Sequence, residues 1–290
     1  MNASLLLNFN AVLGEGAIWD YDNQKLYWVD IKGRLFNVYD PLTQKNSVYN
    51  VHKRIGTVVP CANNKVLVAL QDGIATLDLL TGEIEYKLKT QIHQEHKRFN
   101  DGKCDPQGRF WVGTLTVGNA TSDNKLYSLT SDFTLAEHLD GLTISNGMAW
   151  SADSSLMYHI DTPTGEVSQY DFDKNTGSIA NKRVIIKIPS TEGYPDGMTI
   201  DSEGMLWIAL WDGFGVGRYD PQTGKQLQKV NVPAPKVTSC AFGGKNLNQL
   251  YITTASCEMS EDELNEYPLS GSLFVAETTV AGCRSHRFNF

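Results

Sequence analysis

Asp105-Pro-Gln-Gly-Arg-Phe-Trp-Val112 is a turn-forming residue, a short polar loop and then a run with the character of a strand. The same phrase stands at Asp20-Tyr-Asp-Asn-Gln-Lys-Leu-Tyr-Trp28, Cys61-Ala-Asn-Asn-Lys-Val-Leu-Val68, Ser151-Ala-Asp-Ser-Ser-Leu-Met-Tyr158, Asp201-Ser-Glu-Gly-Met-Leu-Trp207 and Gly243-Gly-Lys-Asn-Leu-Asn-Gln-Leu-Tyr251. With Tyr27, Leu67, Trp111, Tyr158, Trp207 and Tyr251 as equivalent anchors, successive differences in residue number are 40, 44, 47, 49 and 44. Six repeats with a period in the forties, each made of short strands, predict an all-β six-bladed propeller with four-stranded antiparallel blades.

The repeat puts distant residues in register. Eleven or twelve positions before the anchors stand Glu15, Asn100, Asn146 and Asp196, in Gly-Glu15-Gly, Phe-Asn100-Asp101-Gly, Ser-Asn146-Gly and Pro-Asp196-Gly. Equivalent positions of successive blades surround one axis, so these four side chains are expected to converge at one end of the central channel. The same step in the other two repeats reaches Ile55 and Ser239, so the ring is not uniformly polar. Glu15, Asn146 and Asp196 form an all-oxygen donor set with two negative charges, which suits a hard or borderline divalent cation. Arg98, two residues before Asn100, is placed to bind substrate oxygens or to brace an acidic ligand.

An even spread of repeats over 290 residues, with no linker or low-complexity tract, predicts a single domain over 1–290. A net charge of −8 argues against binding to nucleic acid or an anionic membrane. The early run Leu5-Leu6-Leu7 has no basic flank, so neither a signal peptide nor a membrane span is expected. Five cysteines, odd in number and without C-x-x-C spacing, suit reduced thiols and a cytoplasmic location, with Cys104 a small buried strand residue.

In the fourth repeat, strands are expected near Met148 to Trp150, Leu156 to Ile160, Val167 to Phe172 and Val184 to Ile188. No segment demands a helix. The run from Ser4 to Phe9 has no place in the first repeat and is expected to supply the outer strand of the last blade, beside Leu273-Phe-Val-Ala276. Both termini would then be structurally required. His93 and His96 are read as solvent-exposed, Gly213-Phe-Gly-Val-Gly217 as a hairpin, and the triplets at Asn2 and Asn119 as chance glycosylation matches. Trp19, Tyr194 and Trp211 are candidate walls of the site.

Leu13-Gly-Glu15-Gly, Arg98-Phe-Asn-Asp-Gly-Lys-Cys-Asp-Pro-Gln-Gly-Arg109, Ile144-Ser-Asn146-Gly-Met-Ala-Trp150, Tyr194-Pro-Asp196-Gly-Met and Thr238-Ser-Cys-Ala-Phe-Gly-Gly244 resemble, in order and over nearly the whole chain, the SMP-30/gluconolactonase/regucalcin family. The resemblance implies a six-bladed propeller with one divalent metal at the channel mouth and hydrolysis of a sugar lactone to its aldonic acid. It implies Glu15, Asn146 and Asp196 as metal ligands, Asp196 as general base, and Arg98 and Asn100, with Asp101 beside them, as substrate-binding residues. Leu26-Tyr-Trp-Val-Asp-Ile-Lys-Gly33 is similar to bacterial sugar lactonases in particular. One segment departs: animal members carry an acidic pair soon after a Gly-Thr, where this chain has Gly113-Thr-Leu-Thr-Val-Gly-Asn119. Calcium, zinc, manganese, magnesium and ferrous iron all accept such ligands. The expected partner is a small sugar lactone, with no nucleic acid, membrane or obligate protein partner. Two other readings stand beside the lactonase: a phosphoester or organophosphate hydrolase of the same fold, and a non-catalytic calcium-binding regulatory protein.

Overall fold

The repeated phrase folds because its two ends are tied together. Asp20, Asp105 and Asp201 each accept hydrogen bonds from backbone N–H groups of the turn that follows. Each also accepts one from its aromatic anchor, at 2.9 Å from Tyr27 Oη, 3.0 Å from Trp111 Nε1 and 2.9 Å from Trp207 Nε1. The anchor rings are buried, and their polar tips would otherwise lose water without compensation.

The computed structural model describes residues 1–90, 96–118 and 121–290, and these form a six-bladed β-propeller of four-stranded antiparallel sheets. The inner strands are Gly14–Asp20, Ile55–Pro60, Lys97–Cys104, Ser145–Trp150, Tyr194–Ile200 and Val237–Gly243. All six anchors lie on the second strands, Lys25–Asp30, Lys65–Leu70, Phe110–Thr116, Leu156–Asp161, Leu206–Trp211 and Gln249–Thr254. The fourth blade has the expected strands, except that its outer strand, Ile179–Lys187, begins five residues before Val184 because Ile179 already pairs with Phe172. Gly213 lies in the turn of a hairpin between Leu206–Trp211 and Gly215–Tyr219, as expected. His96 is exposed; His93 and Asn119 lie outside the described residues.

The last blade is built from both ends of the chain. Ser4–Leu7 pairs antiparallel with Leu273–Glu277, Ser4 opposite Val275 and Leu5 opposite Phe274. Ahead of it, Ala3 N donates to Asn231 O at 2.9 Å on the fifth blade, and beyond it Phe9 packs edge-on to Trp28 of the first. The expected closure of the ring is therefore present.

The C-terminal segment was not foreseen. It crosses the face where the inner strands end: Gly282 bridges Asp201, Arg287 pairs with Asp20 at 2.7 Å, Phe288 N donates to Pro60 O and Asn289 N to Gly108 O. Blades five, one, two and three are strapped by nine residues. The expectation of no helix is corrected by a short one at Glu261–Glu266, whose capping box joins Ser260 and Glu263 in both directions. Among the described residues no helix is long and apolar enough to cross a membrane. All five cysteines are free, and Cys104 is a buried inner-strand residue.

Candidate active site

The ladder between inner and second strands slips at the same place in every blade. The slips lie between Glu15 and Ile18, Ile55 and Thr57, Phe99 and Gly102, Asn146 and Met148, Pro195 and Met198, and Val237 and Ser239. Such bulges re-aim side chains near sites. Glycines make the close approach possible: a Cβ on Gly147 would lie 2.5 Å from the carbonyl oxygen of Asp196 in the next blade. Gly16 takes φ of 61°, which lets its N–H turn back to Glu15 Oε2 at 2.9 Å.

Glu15, Arg98, Asn100, Asn146 and Asp196 all line one cavity of about 310 Å³ at the end where the inner strands begin. The Asn146 amide donates to Asp196 Oδ1 and, at 3.0 Å, to Thr162 Oγ1. Its own Oδ1 is buried and, among the described residues, has no hydrogen-bond partner. Arg98 Nη1 donates to Asn100 Oδ1 at 2.7 Å and to Phe99 O at 2.9 Å, and Asn100 Nδ2 donates to Ser145 O at 2.9 Å. Leu13, Leu115, Ile144, Tyr194 and Trp211 form apolar walls. Leu115 lies in the short segment that follows Gly113 and Thr114.

Asp101 does not line the cavity. It is buried, accepts from Gly102 N at 2.8 Å, and interacts electrostatically with Lys103, Glu15 and Asp196. Trp19 belongs at the other end of the molecule, which corrects its reading as a wall. It stacks on Tyr251 and borders a cavity of about 360 Å³ beside Asp20 and Arg287, groups already paired with each other. Ile55 is buried, and Ser239 brings no charge, so blades two and six add no carboxylate to the ring.

Burial raises the Glu15 carboxyl well above its ordinary range, with the charges of Asp196 and Asp101 adding to it. Asp196 is raised in the same way, by burial first and then by Asp101, against the lowering effect of the Asn146 hydrogen bond. Burial pushes Arg98 down to about 10, where it remains a cation at neutral pH. His159, pushed down to about 3 by burial, is neutral and holds Ser145 Oγ at 2.8 Å beneath Asn100.

Several supporting residues escape motif reading: Thr162, Ser145, His159, and a pair of aspartates. Asp30 accepts from Val12 N and Leu13 N at 2.9 and 3.0 Å, and Asp161 from Thr143 N and Ile144 N at 3.1 and 2.8 Å. Each stands three residues past its anchor, a recurrence that could have flagged them. Asp161→Ala leaves two N–H groups beside Asn146 without partners. It is expected to cost roughly 1–3 kcal/mol, read as a lowered melting temperature, whereas an unchanged melt would mean that water replaces the carboxylate without loss.

The sequence matches the family described as the SMP-30/Gluconolactonase/LRE-like region over residues 13–256. A protein of Bacillus subtilis (strain 168), provisionally named sugar lactone lactonase YvrE, is 38% identical over 282 residues, 97% of each chain. Regucalcin of Danio rerio is 38% identical over 264 residues, covering 90% of this chain and 89% of its own. Among solved structures, a luciferin-regenerating enzyme superposes with a TM-score of 0.89 at 34% identity, over 97% of this chain and 96% of its own.

Proposed function

The chain belongs to the SMP-30/gluconolactonase/LRE-like family, and from that premise we propose that it is a divalent-metal-dependent hydrolase that opens a sugar lactone to its aldonic acid. One observation carries the reading. Two buried carboxyls, Glu15 and Asp196, meet beside the buried and unpartnered Oδ1 of Asn146. Like charges brought together out of water are costly, and an orphaned amide oxygen adds to that cost; a divalent cation would answer both. Among the described residues no three His, Cys, Asp or Glu side chains gather as a metal cluster, so the donor set that fits is two carboxylates and an amide. Glu15, Asn146 and Asp196 would hold the ion.

Bound there, the ion supplies Lewis acidity toward the lactone carbonyl oxygen. Asp196, oriented by the Asn146 amide, takes a proton from the attacking water. Among the described residues Arg98 commits only Nη1 to the protein, so its remaining N–H groups orient ring hydroxyls, with Asn100 locked beside it. The cavity is at the small end of ligand sites, which run from about 300 to 1,000 Å³, and its apolar walls suit the faces of one sugar ring. The name of the Bacillus relative supports a sugar lactone as substrate.

The test is a panel of pentonolactones and hexonolactones followed by pH indicator after chelation and metal add-back, with an aryl phosphotriester in parallel. Proton release that chelation abolishes and added metal restores is the expected result. Faster turnover of the phosphotriester would move the reaction class. Metal binding without proton release from any lactone would leave a binding protein.

The raised carboxyls give a second expectation, with a definite sign. A carboxyl raised on folding stabilises most below its unfolded value, about 4 for Asp and Glu, and that contribution is lost as pH rises through the folded value. In chelator, the melting temperature should therefore fall as pH is raised from weakly acidic to weakly alkaline, and a divalent cation should remove the fall. A profile unaffected by metal would exclude Glu15 and Asp196 as its ligands.

A further inference from the structure

The ring has a second tier just above it. Ile18, Val59, Lys103, Ala149, Thr199 and Ala241 face the six anchors across the ladder. Five residues before each of these stand Leu13, Arg54, Arg98, Ile144, Tyr194 and Lys236. The equivalence is visible in the backbone, since the carbonyls of Leu13, Arg54, Ile144 and Lys236 accept matching bonds from Ile31, Gln71, Thr162 and Ala255. Leu13, Arg98, Ile144 and Tyr194 line the cavity; register places Arg54 between Leu13 and Arg98 in the tier, outside that lining.

The tier is divided by chemistry. Ile144 and Tyr194 are on one side, and two guanidinium groups on adjacent blades are on the other. Arg54 is half-buried and, among the described residues, its side chain makes no hydrogen bond or ion pair. Its charge acts on that of Arg98. Among the described residues, other charges near the mouth are already matched: Lys236 with Asp212 at 2.9 Å, Lys32 with Glu258 at 3.4 Å, and Asp101 with Lys103 by their mutual field. Glu15 and Asp196 are then the carboxylates whose charge acts on Arg98, and Arg54 adds a second cation beside it. A divalent ion held by the two carboxylates would satisfy them alone and leave both guanidinium groups without a counter-charge. Paired guanidinium groups of this kind recognise carboxylates and phosphates.

We propose that Arg54 is a substrate-binding residue that acts with Arg98 on an anionic group, carboxylate or phosphate, borne by the sugar lactone away from its reacting carbonyl. The preferred substrates are then acidic sugar lactones. This rests on the lactonase reading, and its test is separable from that reading.

The experiment compares kcat/KM of the full chain and of Arg54→Gln on a neutral aldonolactone, an aldaric acid monolactone and a 6-phosphoaldonolactone. The parent is expected to favour one acidic lactone, and which one identifies the anion. Arg54→Gln is expected to reduce the acidic-to-neutral ratio about tenfold, mainly through KM, with partial recovery in Arg54→Lys and a weaker preference at high salt. Equal ratios in parent and variant, both with intact melting curves, overturn the proposal. Calorimetric binding of the open-chain aldarate to the calcium-loaded proteins reads the anion site even if no lactone is hydrolysed. There, equal affinity of parent and Arg54→Gln overturns it, and weaker binding by the variant supports it although the lactonase reading has failed.

Discussion

Asp196→Ala is expected to reduce lactone hydrolysis at least a thousandfold while the six blades stay folded. Loss of a positioned general base alone costs about 10²–10⁴ in rate, and the same side chain would also supply one of three metal donors. The fold should survive because Asp196 is a liability in the metal-free protein: it is buried, lies close to Glu15, and is raised by the charge of Asp101. Its removal relieves that repulsion, so the variant in chelator should melt no lower than the parent. The stabilisation that the parent gains on metal addition should shrink or vanish. Proton release measured by indicator at matched metal saturation, together with melts with and without chelator, checks both halves. Near-parental hydrolysis in metal-loaded Asp196→Ala would remove this residue from the chemistry.

Deleting residues 1–9 is expected to have the largest effect on stability. The segment docks on three blades: Met1 and Ala3 bond to the fifth, Ser4–Leu7 forms the outer strand of the sixth, and Phe9 packs on Trp28 of the first. Leu6, Leu7 and Phe9 are partly buried against the cluster around Trp19 and Trp28. Several hydrogen bonds at about 1 kcal/mol each and about 1 kcal/mol for each partly buried side chain sum to roughly 5 kcal/mol. That is comparable to the low end of a domain's entire net stability. The loss also uncovers the edge of Leu273–Glu277, an invitation to intermolecular pairing. The truncated protein should melt roughly 10–20 °C lower and scatter light on heating. Co-melting of truncated and parent proteins would show that the ring closes by other means.

The fold was legible because the repeat is chemical as well as numerical. Where an aspartate opens the turn and an aromatic anchors the strand, one carboxylate joins them, and that pairing leaves a mark in the sequence at Asp20, Asp105 and Asp201. The ring residues followed from register, since a fixed step from the anchor meets the bulge in every blade. Other features had no such mark. Arg54 stands beside a ring position that is apolar in its own repeat, so nothing drew attention to the tier above. Ser145 and His159 act on Asn100 from the neighbouring blade, a contact that only the angle between blades creates. The C-terminal strap binds through backbone groups, one buried ring, Phe288, and the pairing of Arg287 with Asp20 and Asp22, and none of these contacts recurs with the repeat. The short helix did carry its signature, Ser260 followed three residues later by Glu263, but one and a half turns leave no periodicity to read.

The strap also distinguishes the two ends of the channel. Its residues from Cys283 to His286 lie beside Lys103, Ala149 and Thr199, at the end of the channel opposite the cavity. The cavity ringed by Glu15, Asn146 and Asp196 lies at the other end, and it is the opening through which a lactone is expected to enter. If the proposed lactone hydrolysis runs there, released acid and incoming lactone share that opening, so product is expected to compete directly with substrate for the empty protein.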